Sequence, residues 1–192
     1  GSIERIENLI SSLNTRFRTT IILSTHDMVQ GQRLATRIAV ILDRKIRQVG
    51  DSRQIFYQPG SREVARMVGV ENIFDGTVTA NEDGLASITI GSTTIFATCH
   101  YPAGTAVTAF IRPEELILLG GDGMKSSARN TLRGIISRVT PVGPNIRIQV
   151  DAGISLVAII TRRSYDDLAL SPGAPVHTSF KANAIHVMTR AP

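Results

Sequence analysis

Apolar residues recur at Ile3, Ile6, Ile10, Leu13 and Phe17. Spacings of three and four predict an amphipathic helix of about four turns. Residues 19–24 (TTIILS) follow as a β-branched, apolar run without alternation, the pattern of a parallel strand buried on both faces. Thr25-His26-Asp27 stands at its end, and Asp27 is suited to cap a second helix over residues 27–36. Residues 37–42 predict another apolar strand, Asp43-Arg44 a turn, and residues 45–50 its hairpin partner. Two short helices are predicted over residues 52–57 and 61–68, separated by Pro59-Gly60.

After Asn72 the helical period stops. Short β-prone runs at 75–79, 86–90, 93–98, 106–111 and 116–119 are separated by turns at 81–84, 91–92 and 102–104. The pattern then repeats at 132–139, 146–150, 155–161, 176–180 and 185–188. Asn72 and Gly76 match Asn130 and Gly134 at an offset of 58, while Gly104, Val107 and Arg112 match Gly173, Val176 and Lys181 at 69. The difference of 11 fits one insertion at residues 161–171, with a short helix expected at 165–170. The predicted class is α+β: a short α/β segment, then two tandem OB-like β-barrels of five strands each. The expected divisions are residues 1–71, 72–121 and 122–192.

Composition narrows the chemistry. Aromatic residues make up 5% with no Trp, so the cores must be aliphatic. A net charge of +5 favours an anionic partner only mildly, because the basic residues are scattered. The single cysteine, Cys99, cannot form an internal disulfide, and Cys99-His100 alone is too small a ligand set for a metal. No apolar run approaches the ~18 residues of a membrane span. No carboxylate pair or Ser/His/Asp set marks a free-standing enzyme. No aromatic-lined strand face marks a nucleic-acid platform, and none is expected as partner. Gly1-Ser2 reads as a tag scar ahead of a piece cut from a longer protein.

One stretch concentrates hydrogen-bond donors. Met124-Lys125-Ser126-Ser127-Ala128-Arg129-Asn130 follows the loop Gly120-Gly121-Asp122-Gly123 and holds two adjacent hydroxyls, a small residue, a fixed positive charge and an amide. A small, fully ionised oxyanion accepts hydrogen bonds and donates none, so it needs such a segment. The Ser127 hydroxyl and the N–H groups of Ala128 and Arg129 can serve if the backbone bends into a nest.

Two resemblances add to this reading. Residues 19–27 (TTIILSTHD), the strand pair 37–50, then Ile55-Phe56-Tyr57-Gln58-Pro59, Val64-Ala65 and Gly69 with Asn72 resemble the switch-histidine segment and domain exit of ABC transporter ATPases. This implies a C-terminal remnant of an ATPase domain over residues 1–71, with His26 as the catalytic switch histidine in the full-length protein only. ATP and magnesium are implied as cofactors of that protein, but not of this fragment. The chain has no GxxxxGK(S/T) phosphate loop, no acidic strand end before the first helix and no LSGGQ-like signature, so it is not expected to hydrolyse ATP.

The second resemblance covers residues 72–188. Residues 124–130 with Gly134, Ile160-Thr161, Ser164, Leu168, Leu170, Gly173 and Phe180-Lys181-Ala182 look like a Mop-type molybdate-binding domain. The first half, with Ile111-Arg112-Pro113-Glu114, resembles the transport-associated OB (TOBE) domain of ABC importers. The resemblance implies molybdate or tungstate as ligand, held by Ser127, Ala128, Arg129 and Lys181. Asn183 stands where the family tends to place Ser or Thr, so an amide replaces a hydroxyl donor there. Arg112 occupies the position equivalent to Lys181 but lies beside Glu114 and Glu115, and is expected to form an ion pair instead. The implied role is the regulatory region of an importer ATPase that shuts off uptake when the oxyanion is abundant. Its expected partners are membrane permease subunits and a second copy in a homodimer, at the cytoplasmic face of the membrane. The alternative is the same region of an importer for sugar, polyamine, sulfate or iron, acting only as a docking module.

Overall fold

The computed structural model describes residues 2–120 and 126–190. It divides into two compact units that meet between Val64 and Ala65.

In the first unit, α1 (Ser2–Phe17) and α2 (Met28–Leu34) precede a hairpin of β1 (Ile38–Leu42) and β2 (Lys45–Gly50), then α3 (Ser52–Tyr57). Asp27 caps α2, its carboxylate accepting the Gln30 N–H at 3.1 Å. The hairpin turns on Asp43 and Arg44, both at positive φ, which matches the right-handed twist of the flanking strands. Asp51 and Gln54 close a reciprocal capping box at α3. Residues 19–24 depart from expectation: they form no strand, and Ile22 is 93% exposed. A doubly buried parallel strand needs paired neighbours and a layer on each face, and no described strand pairs with this run.

A fourth helix, α4 (Arg62–Met67), crosses the boundary. In the second unit the chain continues as β3 (Asn72–Glu82), β4 (Leu85–Ile90), β5 (Thr93–Thr98), β6 (Ala106–Ile111) and β7 (Ile117–Leu119). The repeat follows as β8 (Asn130–Val142), β9 (Asn145–Asp151), β10 (Ser155–Thr161), α5 (Arg162–Asp167), β11 (Pro175–Phe180) and β12 (Ile185–Thr189). Alternation dictates the faces. In β9 every second residue, Ile146, Ile148 and Val150, is buried, and β4 does the same with Ala86, Ile88 and Ile90. α5 begins three residues before the expected 165 because the Thr161 hydroxyl caps it, accepting the Ser164 N–H at 3.1 Å.

The strands form two five-stranded sheets, ordered β12-β6-β3-β4-β5 and β10-β9-β8-β11-β7. The sheets therefore do not follow the sequence halves. After β6 a 3-10 turn at Pro113–Glu115 carries the chain across, and β7 pairs with β11. After β11 the matching turn at Ala182–Ala184 carries β12 back to β6. Each half lends its last strand to the other, and the buried residues of both sheets form one continuous core.

The internal repeat extends to irregularities. β3 has a bulge between Val78 and Ala80, and β8 has one between Ile136 and Arg138, at the same offset of 58. Just before each bulge lies a glycine pressed against the neighbouring strand. A Cβ on Gly76 would stand 2.7 Å from the Thr89 carbonyl oxygen, and one on Gly134 2.5 Å from that of Asp151. The bend that curls each sheet thus needs a residue with no side chain.

Gly134→Ala is expected to lower the unfolding free energy by about 3 kcal/mol or more, measured by urea denaturation. Thr178 gives the opposite expectation. It is fully buried and its hydroxyl has no hydrogen-bond partner among the described residues. Thr178→Val should raise stability by about 1 kcal/mol in the same assay.

Candidate oxyanion site

The site is built from the outer end of one ladder. β8 and β11 run antiparallel, and their last paired rung is Asn130 with Phe180. Arg129 immediately precedes that rung on one strand, and Lys181 immediately follows it on the other. Pairing therefore brings two cations, 52 residues apart in the chain, to the same ladder end. Both are exposed, and neither side chain has a hydrogen bond or ion pair among the described residues.

The remaining expected ligands lie around them. Ser127 is exposed in the bend leading into β8. The Ala128 N–H is already engaged, donating to Ser126 Oγ at 3.2 Å, so Ser126 shapes the bend and an anion would compete with it for that donor. Asn183 is exposed in the middle of the 3-10 turn that starts at Lys181. Met124, Lys125 and the glycine loop at 121–123 lie outside the described residues. His26 lies in the first unit, exposed, just before α2.

Asn130 itself is almost completely buried. Its Oδ1 accepts the Phe96 N–H at 2.7 Å, and its Nδ2 donates to the carbonyl oxygens of Phe96 at 2.8 Å and Phe180 at 3.4 Å. Phe96 belongs to β5, the edge strand of the other sheet. One side-chain amide thus satisfies both backbone groups of one edge residue, as a neighbouring strand would. Asn72 makes the same clamp in reverse. It accepts the Val157 N–H at 2.6 Å and donates to Val157 O at 2.9 Å and Ile111 O at 3.2 Å.

The two clamps have different neighbours. Before Asn72 stands Glu71, which accepts from Arg147 Nε at 2.8 Å. Arg112, the counterpart of Lys181, lies 3.5 Å from Glu114 and donates to the Val68 carbonyl at 3.1 Å, in line with the expected ion pair. The first seam therefore carries its own carboxylates, and the second presents unneutralised cations among the described residues. Neither the clamp role of Asn130 nor the contrast with Glu71 emerges from motif reading. The offset of 58, which maps Glu71 onto Arg129, was the available signal.

Part of this region matches a recognised class of domain. The TOBE domain family matches residues 126–187, and the chain carries that domain in OB-like sheets. It is similar in sequence to ATP-binding subunits of ABC importers. It is 34% identical over 174 residues to the molybdate/tungstate import ATP-binding protein WtpC of Pyrococcus horikoshii, covering 89% of this chain and 48% of that protein. It is 30% identical over 182 residues to the spermidine/putrescine import ATP-binding protein PotA of Ruegeria pomeroyi, covering 93% and 48%. The chain thus spans about half the length of the curated relatives it matches. Its fold is shared with the cytoplasmic molybdate-binding protein ModG, solved with molybdate bound. The match has a TM-score of 0.57 at 23% identity and covers 63% of this chain and 97% of that one.

The Glu71–Arg147 pair is partly shielded, with side-chain exposures of 34% and 27%. A double-mutant cycle with Glu71→Ala and Arg147→Ala should return a coupling free energy of about 1 kcal/mol, falling at high salt.

Proposed function

We propose that this chain is the regulatory region of the ATP-binding subunit of a molybdate or tungstate importer, and that it binds the intracellular oxyanion at the end of the β8–β11 ladder. The observation that carries the reading is the meeting of Arg129 and Lys181 without a carboxylate partner among the described residues. A tetrahedral dianion offers four acceptor oxygens and no donor. The two cations supply charge, and the Ser127 hydroxyl, the Arg129 N–H and the Asn183 amide supply directional bonds. The Ala128 N–H joins them if the anion displaces Ser126 Oγ. The similarity to WtpC supports the choice of ligand.

Inhibition of uptake follows as a population shift. If the anion binds one arrangement of the subunit better than another, a replete cell accumulates the arrangement that does not transport. Permease subunits, a homodimer and a place at the inner membrane face belong to this same reading of the whole protein. So do ATP and magnesium, with His26 as the switch histidine. The sequence present here holds no phosphate-loop motif, so the nucleotide belongs to the proposed whole protein.

The second reading, an importer for another solute with the barrels as docking surface only, is favoured by the similarity to the polyamine import protein. Titration calorimetry separates the two. Molybdate and tungstate should bind, and sulfate should bind at least about tenfold more weakly. Arg129→Ala or Lys181→Ala should each weaken tungstate binding roughly 10- to 100-fold, the loss of one charge-assisted hydrogen bond. Absence of oxyanion binding by the folded chain, or sulfate binding equal to molybdate, favours the docking module.

A further inference from the structure

The two seams between the sheets share one clamp but differ in charge. At the first seam Asn72 holds β10, and Glu71 beside it reaches Arg147 on β9, so an ion pair bridges the same two sheets. At the second seam Asn130 holds β5, but Arg129 beside it meets no acid among the described residues. Pairing of Thr77 with Thr89 matches pairing of Ile135 with Asp151, so the position equivalent to Arg147 is Leu85, which bears no charge. Among the described residues, the second seam therefore lacks the internal counter-ion that the first possesses.

We propose that Asn130 is the positioning residue of the oxyanion site, and that the bound anion tightens the second seam through this amide, where the first seam is held by the Glu71–Arg147 pair. The inference rests on the oxyanion reading above. Asn130 is bonded through the main chain to Arg129 and through the Phe180 carbonyl to the residue preceding Lys181. The same amide holds both backbone groups of Phe96 in the other sheet. An anion that draws Arg129 and Lys181 together therefore loads the amide and, through it, β5. Without the amide, the last rung of the ladder loses its side-chain bond to the Phe180 carbonyl and its tie to β5, and the anion meets a looser pair of cations. Asn72 has the same burial and the same bonding pattern, but the cations beside it, Arg112 and Arg147, each have a carboxylate partner, which makes it a matched control for a purely structural role.

The test uses the full chain with Asn130→Ser and Asn72→Ser, each titrated with tungstate well below its melting temperature. Asn130→Ser should weaken tungstate binding by about tenfold or more, while Asn72→Ser stays within about twofold of the unmodified chain despite a similar loss of Tm. Amide exchange in the unmodified chain gives a second readout. Saturating tungstate should slow exchange of the Phe96 N–H by roughly tenfold and leave that of Val157 unchanged. Unchanged affinity in Asn130→Ser, or equal weakening in both variants, overturns the proposal. If Asn130→Ser does not fold, the Phe96 exchange decides alone, and no slowing overturns the proposal. Absence of tungstate binding by the unmodified chain overturns the oxyanion reading and this inference with it, whereas binding with an unaffected Phe96 amide overturns the inference only.

Discussion

A side-chain amide acting as a strand holds the β region together. An edge strand leaves backbone N–H and C=O groups unpaired, and a buried unpaired group costs about 1–3 kcal/mol. Asn130 meets both groups of Phe96, and Asn72 meets both groups of Val157. No other neutral side chain but Gln carries a donor and an acceptor in one plane at that separation, and Gln would need room for a further methylene. Each amide also reaches a carbonyl in its own sheet, at Phe180 or Ile111. The two sheets are therefore registered against each other twice, by the same device run in opposite directions.

Exchange of the closing strands enforces the same unity. β7 belongs by sequence to the first half and by pairing to the second, and β12 the reverse. Separating the halves would strip a strand from each sheet and open the shared core of Ile88, Ile95, Ile111, Ile136, Ile148, Leu156 and Phe180. Gly76 and Gly134 make the curvature possible, because a side chain at either place would enter the neighbouring backbone. The repeat thus yields one body with a shared core from two short units, each with little core of its own.

Against this near-symmetry the difference in charge acquires meaning. A duplicated fold offers two equivalent ladder ends, one with Glu71 and Arg112, the other with Arg129 and Lys181. At the first, Arg147 and Glu114 complete the charge pairing within the chain. At the second, nothing described completes it. The proposed anion site thus differs from the first ladder end by its lack of described carboxylate partners as much as by its cations.

Much of this was legible in the chain. The alternating runs, the glycine turns and the offsets of 58 and 69 located ten β strands and paired Asn72 with Asn130 and Arg112 with Lys181, because local periodicity and turn chemistry are properties of short segments. The donor-rich stretch around Ser127 was equally plain, since its chemistry needs no partner to be recognised. Other features depended on neighbours. Residues 19–24 read as a buried strand, yet a parallel strand exists only where other strands flank it, and Ile22 stands exposed. Strand exchange was invisible, because a strand carries no mark of which sheet it will join; the 3-10 turns and the packing of the shared core decide that. The clamps likewise became apparent only when tertiary structure brought Asn130 to Phe96 and Asn72 to Val157, 34 and 85 residues away in the chain. The sequence by itself determined the elements and the candidate chemistry. The fold decided which of them meet, because contacts between distant residues are settled by closure of the sheets and not by local propensity.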